Sequence, residues 1–325
     1  MKKLFSLSIC GIATMNLHSL NNEGGEGNHI QTRMVDVVDT EGRLHSVNAV
    51  SGDMYKHIFV EHFYNLARNG ADLPLSAGAK VMSPNRVNAD LNNDNSNFSK
   101  AVAAADGDAG VIDAVLNTCA LTDVAGTLIT KGRSTGRKSV VEFAWVAGVP
   151  EKTKTESYFH VKYDVESRGN TKSDDGSNLG QAIFHRPTNS GQYAVVLNIE
   201  AYRVGFNDIK QSYAIEGEAR AKRYRALLQA VMQTFIEPNG AMRNTQNPHL
   251  TDFRGVVTTS TSSVPAPTVS PLNDEFVDQV TRIVKSLNTL AGDSLQVEEF
   301  GSLAAFTEIM VEKVSNTEPA SFGGE

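Results

Sequence analysis

Phe5-Ser6-Leu7-Ser8-Ile9-Cys10-Gly11-Ile12-Ala13-Thr14-Met15-Asn16-Leu17-His18 alternates an apolar or small residue with one that is mostly small and hydrogen-bonding. Period two over this length predicts a half-buried β-strand with one polar face. A loop rich in Asn and Gly follows at 21–28, then two short β-type runs around Asp39-Thr40-Glu41-Gly42. Ser51 is a good N-cap, and Tyr55, Ile58, Phe59, Phe63 and Leu66 keep helical spacing until Gly70 stops the run.

The same reading extends along the chain. Residues 84–100 are so rich in Asn and Asp that they read as an exposed excursion. A helical stretch near 108–125 precedes a strand at 139–146. Phe159, Val161, Tyr163 and Val165 alternate with His160, Lys162 and Asp164, which gives another two-faced strand. Residues 166–181, full of Gly, Asn, Ser and Asp, read as a second long loop. A strand over 193–201, a helix over 216–235 closed by Pro238-Asn239-Gly240, and a β run at 256–264 come next. Two amphipathic helices end the chain. Strands separated by helices, with polar faces and long loops, predict an open sheet backed by helices.

At 325 residues the chain can bury a large core, and 40% hydrophobic with 21% charged is ordinary for a water-soluble fold. No apolar run reaches the roughly 18 residues of a membrane span. Met1-Lys2-Lys3 before 4–15 has the look of an export signal, with Leu7-Ser8-Ile9-Cys10 near a lipoprotein box. Ile9 before the cysteine, the alternation, and the lack of a small-x-small site argue for a cytoplasmic protein instead. Cys10 and Cys119 make neither a disulfide framework nor a metal site.

The net charge is −7, yet residues 293–325 carry seven acids against Lys313 alone, which leaves −1 for the rest. Lys131, Arg133, Arg137 and Lys138 cluster with no acid among them, and a local field of this kind attracts phosphate whatever the net charge. A second cluster, Arg220, Lys222, Arg223 and Arg225, reads as a solvated helix face.

Several motifs bear on chemistry. Gly132-Arg133-Ser134-Thr135-Gly136 fits G-x-S-x-G, but that elbow needs a strand turning into a helix, and 140–146 reads as a strand. The same stretch lacks the second glycine and the helix of a P-loop. The eight histidines show no metal spacing, and no cofactor is expected. Ser51 to His57 opens a helix whose free N–H groups, with Lys56 and His57, form a candidate anion site. Arg243 and His249 stand in an amide-rich loop at 240–249. The paired aromatics of an RRM signature are absent, so contact independent of base sequence is the expected mode.

The opening strand, the Asn/Gly loop, the hairpin ending in Asn48-Ala49-Val50-Ser51-Gly52, and Lys56-His57 resemble one family. It is the DevR-type backbone subunit of type I CRISPR effector (Cascade) complexes, the seventh Cas protein family. The resemblance is close over 4–70 and looser through 132–149, 158–165 and 240–250. It implies an α+β fold, a modified RRM (ferredoxin-like) core with an open antiparallel sheet, in a single domain. Insertions at about 71–117 and 166–182 would be web and thumb, and 270–325 a helical acidic segment. It implies no catalysis, and partners that are CRISPR guide RNA, target DNA through guide pairing, further copies in a helical filament, and other Cascade subunits. The expected RNA contacts are Asn16, His18, Arg33, Ser51, Lys56, His57, Arg133, Arg137, Lys138, Arg243 and His249. Type III relatives cleave RNA with an early aspartate; between His18 and Met34 the only acids are Glu23 and Glu26. The alternatives are a serine hydrolase using Ser134 and an exported structural protein.

Overall fold

The computed structural model describes residues 1–163 and 181–323. Its main sheet is built from β1 (Ser6–His18), β2 (Met34–Val38), β3 (Leu44–Val50), β4 (Val146–Tyr163), β5 (Gln181–Ile199), β6 (His249–Ser260) and β7 (Leu295–Phe300). The longer helices are α1 (Gly52–Asn69), α2 (Gly107–Thr118), α3 (Ala120–Ala125), α4 (Gly217–Ile236), α5 (Phe276–Ala291) and α6 (Leu303–Asn316). The strands lie in the order β7-β6-β1-β5-β4-β3-β2, every neighbouring pair antiparallel. Within this, β1-α1-β4-β5-α4-β6 runs strand-helix-strand-strand-helix-strand, with β1 and β5 at the centre. The predicted C-terminal helices are present as α5 and α6, but Leu295–Phe300 between them is a strand that extends the sheet.

The odd residues of β1 meet the expected core. Leu7, Ile9, Ala13 and Met15 join Phe59 and Phe63 of α1, Tyr224 and Leu228 of α4, and Phe306 of α6. The even face is also covered, against the expectation of a polar, wetted side. Cys10, Ile12 and Val256 lie under Phe276, Val280 and Val284 of α5. Ser8 Oγ donates to the Pro267 carbonyl at 2.7 Å, and Ser6 Oγ accepts the Ala266 N–H at 3.3 Å. The alternating hydroxyls thus satisfy a crossing segment rather than water. A Cβ on Gly255 would lie 2.2 Å from the Cys10 carbonyl oxygen, so the centre of the sheet admits only glycine there. Phe235, Phe253, Phe300 and Phe306 close the core at centroid spacings of 4.9–5.7 Å. Lys2–Leu4 pairs in parallel with Thr317–Pro319, joining the two ends of the chain.

His18 belongs to this interior. It is fully buried, its Nδ1 accepts the Leu20 N–H at 3.5 Å, and its ring meets Tyr193 edge-on at 5.1 Å. Burial pushes its pKa down to about 4, so it is neutral in the fold.

The insertion after α1 is packed, not an excursion. Within 84–100, Val87, Leu91 and Phe98 are buried, and the polar residues cap turns: Asp90 accepts the Ala77 and Gly78 N–H groups at 3.1 and 2.6 Å. The other expected insertion, 166–182, lies outside the described residues except for its last two. No helix of the described residues is long and apolar enough to cross a membrane. The signal-like stretch at 4–15 lies at the sheet's centre.

Buried charge ties insertion to core. Arg137, with a fully buried side chain, pairs with Asp123 at 2.8 Å and Asp208 at 2.7 Å and donates to the Phe206 and Arg203 carbonyls. Asp123 also binds Arg223 at 3.1 Å and accepts the Gly205 N–H at 3.0 Å. Arg220 and Arg223 are therefore buried, where a solvated face was expected. Arg220 donates to the carbonyls of Val204, Tyr202 and Ala320.

Two outcomes are expected in chemical unfolding. Asp123→Ala takes the carboxylate from the buried Arg223 and one of two from Arg137, and lowers stability by roughly 3–5 kcal/mol, whereas Arg282→Ala, in an exposed pair with Asp278, leaves the midpoint unchanged. Because His18 is neutral in the fold and a free histidine titrates at 6.5, its contribution is complete above that pH. It is lost as pH falls toward 4, amounting to roughly 3 kcal/mol. His18→Phe removes that slope, and an unchanged slope refutes the assignment.

Candidate functional site

One group of expected contact residues surrounds the start of α1. Ser51 Oγ accepts the Met54 N–H at 3.1 Å, and the Ser51 N–H donates to Asn21 Oδ1 at 3.0 Å. The Asn21 carbonyl in turn takes the Arg33 N–H at 3.4 Å and the Thr32 hydroxyl at 3.1 Å. These bonds hold Arg33, whose guanidinium lies 5.1 Å from the ring centroid of Trp145. Trp145 is exposed. A Cβ on Gly52 would lie 2.5 Å from the Phe143 carbonyl oxygen, so glycine lets the helix start press on that strand. Lys56 is half-buried. Burial lowers its pKa, and Arg86 lowers it further, while Asp53 and Glu142 pull it back up. A cation with its charge partly desolvated favours an arriving anion more than one already paired.

A second group lies where β1 ends and β6 begins. Asn16 stands opposite His249 in the ladder, and Asn16 Nδ2 reaches Thr251 Oγ1 at 3.5 Å. The loop before β6 is fastened to β5: Gln246 Nε2 donates to the Pro187 carbonyl at 2.9 Å and Thr188 Oγ1 at 2.7 Å, and Arg186 donates to Thr245 Oγ1 at 3.0 Å. Arg243 binds Glu237 at 3.3 Å and Asn239 Oδ1 at 3.1 Å. These residues enclose a cavity of about 200 Å³ lined by Arg186, Met242, Arg243, Asn244, Thr245 and Gln246. Gly240 has φ +78°, and a Cβ there would lie 3.1 Å from His57 Nε2, so this loop rests on the exposed His57. His57 and Lys56, adjacent in the chain, join the two groups.

The long β4–β5 hairpin adds residues that the sequence reading did not assign to a site. His160 stacks on Phe184 at 5.4 Å, and Arg186 lies over the same ring at 4.9 Å. On the other face His29 stacks on His185 at 4.2 Å, with the exposed Phe159 edge-on at 5.5 Å. The alternation through Tyr158-Phe159-His160 is visible in sequence. Its pairing with Phe184-His185-Arg186 is not, because strand register depends on residues distant in sequence.

The basic loop is placed differently. Residues 131–134 turn between the short strands Thr127–Ile129 and Thr135–Arg137, beside the end of β5 where Glu200 lies. Arg137 is buried in the ion network, so it has no surface to offer a phosphate, a correction to the sequence reading. The other cations have acids close by: Arg133 at 3.7 Å from Asp108, Lys131 at 2.8 Å from Asp94, Lys138 at 2.8 Å from Glu142 and 3.0 Å from Glu200. The first two pairs fasten the loop to the insertion, and those of Lys138 tie it to the end of β5. Ser134 is exposed on a strand-to-strand turn, which lacks the helix of a nucleophile elbow. His18 is likewise withdrawn from the surface by its burial. Among the described residues no group of three or more His, Cys, Asp or Glu side chains is arranged to hold a metal ion.

Similarity to known proteins covers nearly the whole chain. The "CRISPR-associated protein Cas7/Cst2/DevR" of Methanocaldococcus jannaschii is 23% identical over 321 residues, 93% of this chain and 94% of its own. A chain of a solved "CRISPR RNA-guided surveillance complex, pre-nicking" superposes with a TM-score of 0.50 at 14% identity, covering 95% of this chain and 99% of that one. It shares the fold. Residues 9–281 match the family described as "CRISPR-associated negative auto-regulator DevR/Csa2", and the chain belongs to that family.

Proposed function

We propose that the protein is a non-catalytic, cytoplasmic subunit that holds CRISPR guide RNA in a type I effector complex. The observation that carries this is that Asn16 stands opposite His249 where β1 ends, while the loop before β6 that carries Arg243 rests on His57, next to Lys56 on the helix that Ser51 caps, in a chain of this family. Such a surface offers cations, amides and hydroxyls, the groups that hold a phosphate–ribose backbone without reading bases. That suits a subunit serving any guide. Base pairing between guide and target DNA would then carry the specificity. The names of the relatives, which speak of CRISPR RNA-guided complexes, support the same partner.

The β-α-β-β-α-β core, with strand order β6-β1-β5-β4, supports a ferredoxin-like, modified RRM reading. Residues 71–117 and the β4–β5 hairpin are the segments suited to reach a neighbouring copy and other Cascade subunits. Repeated head-to-tail contact of one such patch with another builds an open filament along the RNA. The stacked rings toward the outer end of the hairpin offer flat faces for splayed bases. Arg133 and Lys138 remain candidates for the path of the strand, each having to exchange an acid for a phosphate.

Protein purified at high salt from cells that express a guide array should carry RNA of guide length in a multimeric peak; an RNA-free monomer under those conditions overturns the reading. Lys56→Ala with His57→Ala should weaken RNA binding roughly tenfold or more with the melting temperature kept, and flatten its salt dependence. Unchanged affinity removes the α1 start from the interface.

A further inference from the structure

At the end of β1 the sheet is deliberately irregular. His18 pairs with Asn189 and Met15 with Gly191, so Asn16 and Leu17 stand opposite Ser190 alone. This β-bulge puts Leu17 at φ +57°, a left-handed conformation that suits glycine or asparagine and strains a bulky side chain. The bulge is pinned on both sides. The Leu17 N–H donates to Ser190 Oγ at 3.0 Å, Asn189 Nδ2 donates to the His18 carbonyl at 3.2 Å, and Asn16 is in register with His249. Bulges re-aim side chains, and strain persists only where surrounding structure over-determines it. The result is that Leu17 is 50% exposed, between Met15 and His18 at 1% and 0%.

An apolar side chain is thus held outward beside Asn16, His249 and the Ser190 hydroxyl. A ligand that matches both has a flat apolar face with polar and anionic edges, which describes a nucleotide. We propose that Leu17 packs on the face of an unstacked base in single-stranded RNA, while Asn16, His249 and the loop before β6 hold its ribose and phosphate. The contact rests on the RNA-binding reading above, and adds to it an apolar wedge that recognises a base without reading its identity.

The test is fluorescence anisotropy with labelled single-stranded RNA, and with the same strand made abasic, on the full chain and on Leu17→Gly. Glycine relaxes the bulge, so the variant should melt at the same or a higher temperature. It should nevertheless bind intact RNA roughly three- to tenfold more weakly, and bind the abasic strand as the parent does. Leu17→Asn, which also tolerates this backbone, serves if the glycine variant misfolds. Equal affinity of parent and variant for intact RNA overturns the wedge alone. A changed sedimentation of the RNA-free protein with RNA affinity kept also overturns it, and assigns Leu17 to a contact between copies. A parent that binds no RNA overturns the RNA reading itself.

Discussion

Everything in this fold depends on β1 having a partner on each edge and a layer on each face. Its backbone groups are taken by β5 on one side and β6 on the other, over nearly its whole length. Burying a strand so completely leaves no water to satisfy an unmade bond, so the register of β5 and β6 is fixed by the cost of an orphaned amide. The glycine at 255 shows how little tolerance remains, since even a methyl group would meet the backbone of β1. Irregularity is then admitted only at the strand's end, where the bulge and the candidate contact residues are found.

A second constraint is electrostatic. Helix α3, which follows the insertion, is held to the core by Asp123 between Arg137 and Arg223, with Asp208 and Arg203 completing the network, and Arg223 also donates to the Leu116 carbonyl at the insertion's end. Buried pairs of this kind contribute little net stability over an apolar replacement, but removing one partner is severe. They act as registration: the insertion can sit in one place only, because any other placement strands a charge. The consequence for the surface is that the basic stretch 131–138 is spent on internal pairing. The candidate interface instead draws on residues scattered from Asn16 to His249.

Much of this architecture was legible. Period two marked β1, and the spacing Tyr55, Ile58, Phe59, Phe63, Leu66 marked α1, because both patterns are local. What was not legible depends on distant residues. The hydroxyl face of β1 reads as wetted until Ala266 and Pro267 cross it. Arg137 and Arg223 read as surface cations until Asp123 lies between them. In 84–100 the abundance of Asn hid a signal that was present, since Val87 and Leu91 already stand four apart, as on one helical face. The site was half-visible: Ser51, Lys56 and His57 announce themselves as a helix start, and Arg243 and His249 as a donor-rich loop. That these converge, and that His18 turns inward beside them, follows only from how β1, β5 and β6 are ordered.

The bond from Ser8 to Pro267 spans 259 positions, and the two ends of the chain pair as neighbouring strands. During synthesis β1 is therefore made well before either of its partners, β5 and β6. At about 5–20 residues per second, β1 waits on the order of ten seconds for β5 and longer for β6. Throughout that interval a strand apolar enough for a sheet's centre has open edges in a crowded cell. The nascent chain is most vulnerable to wrong pairing before β6 exists, and a holding factor that shields β1 would act during that interval.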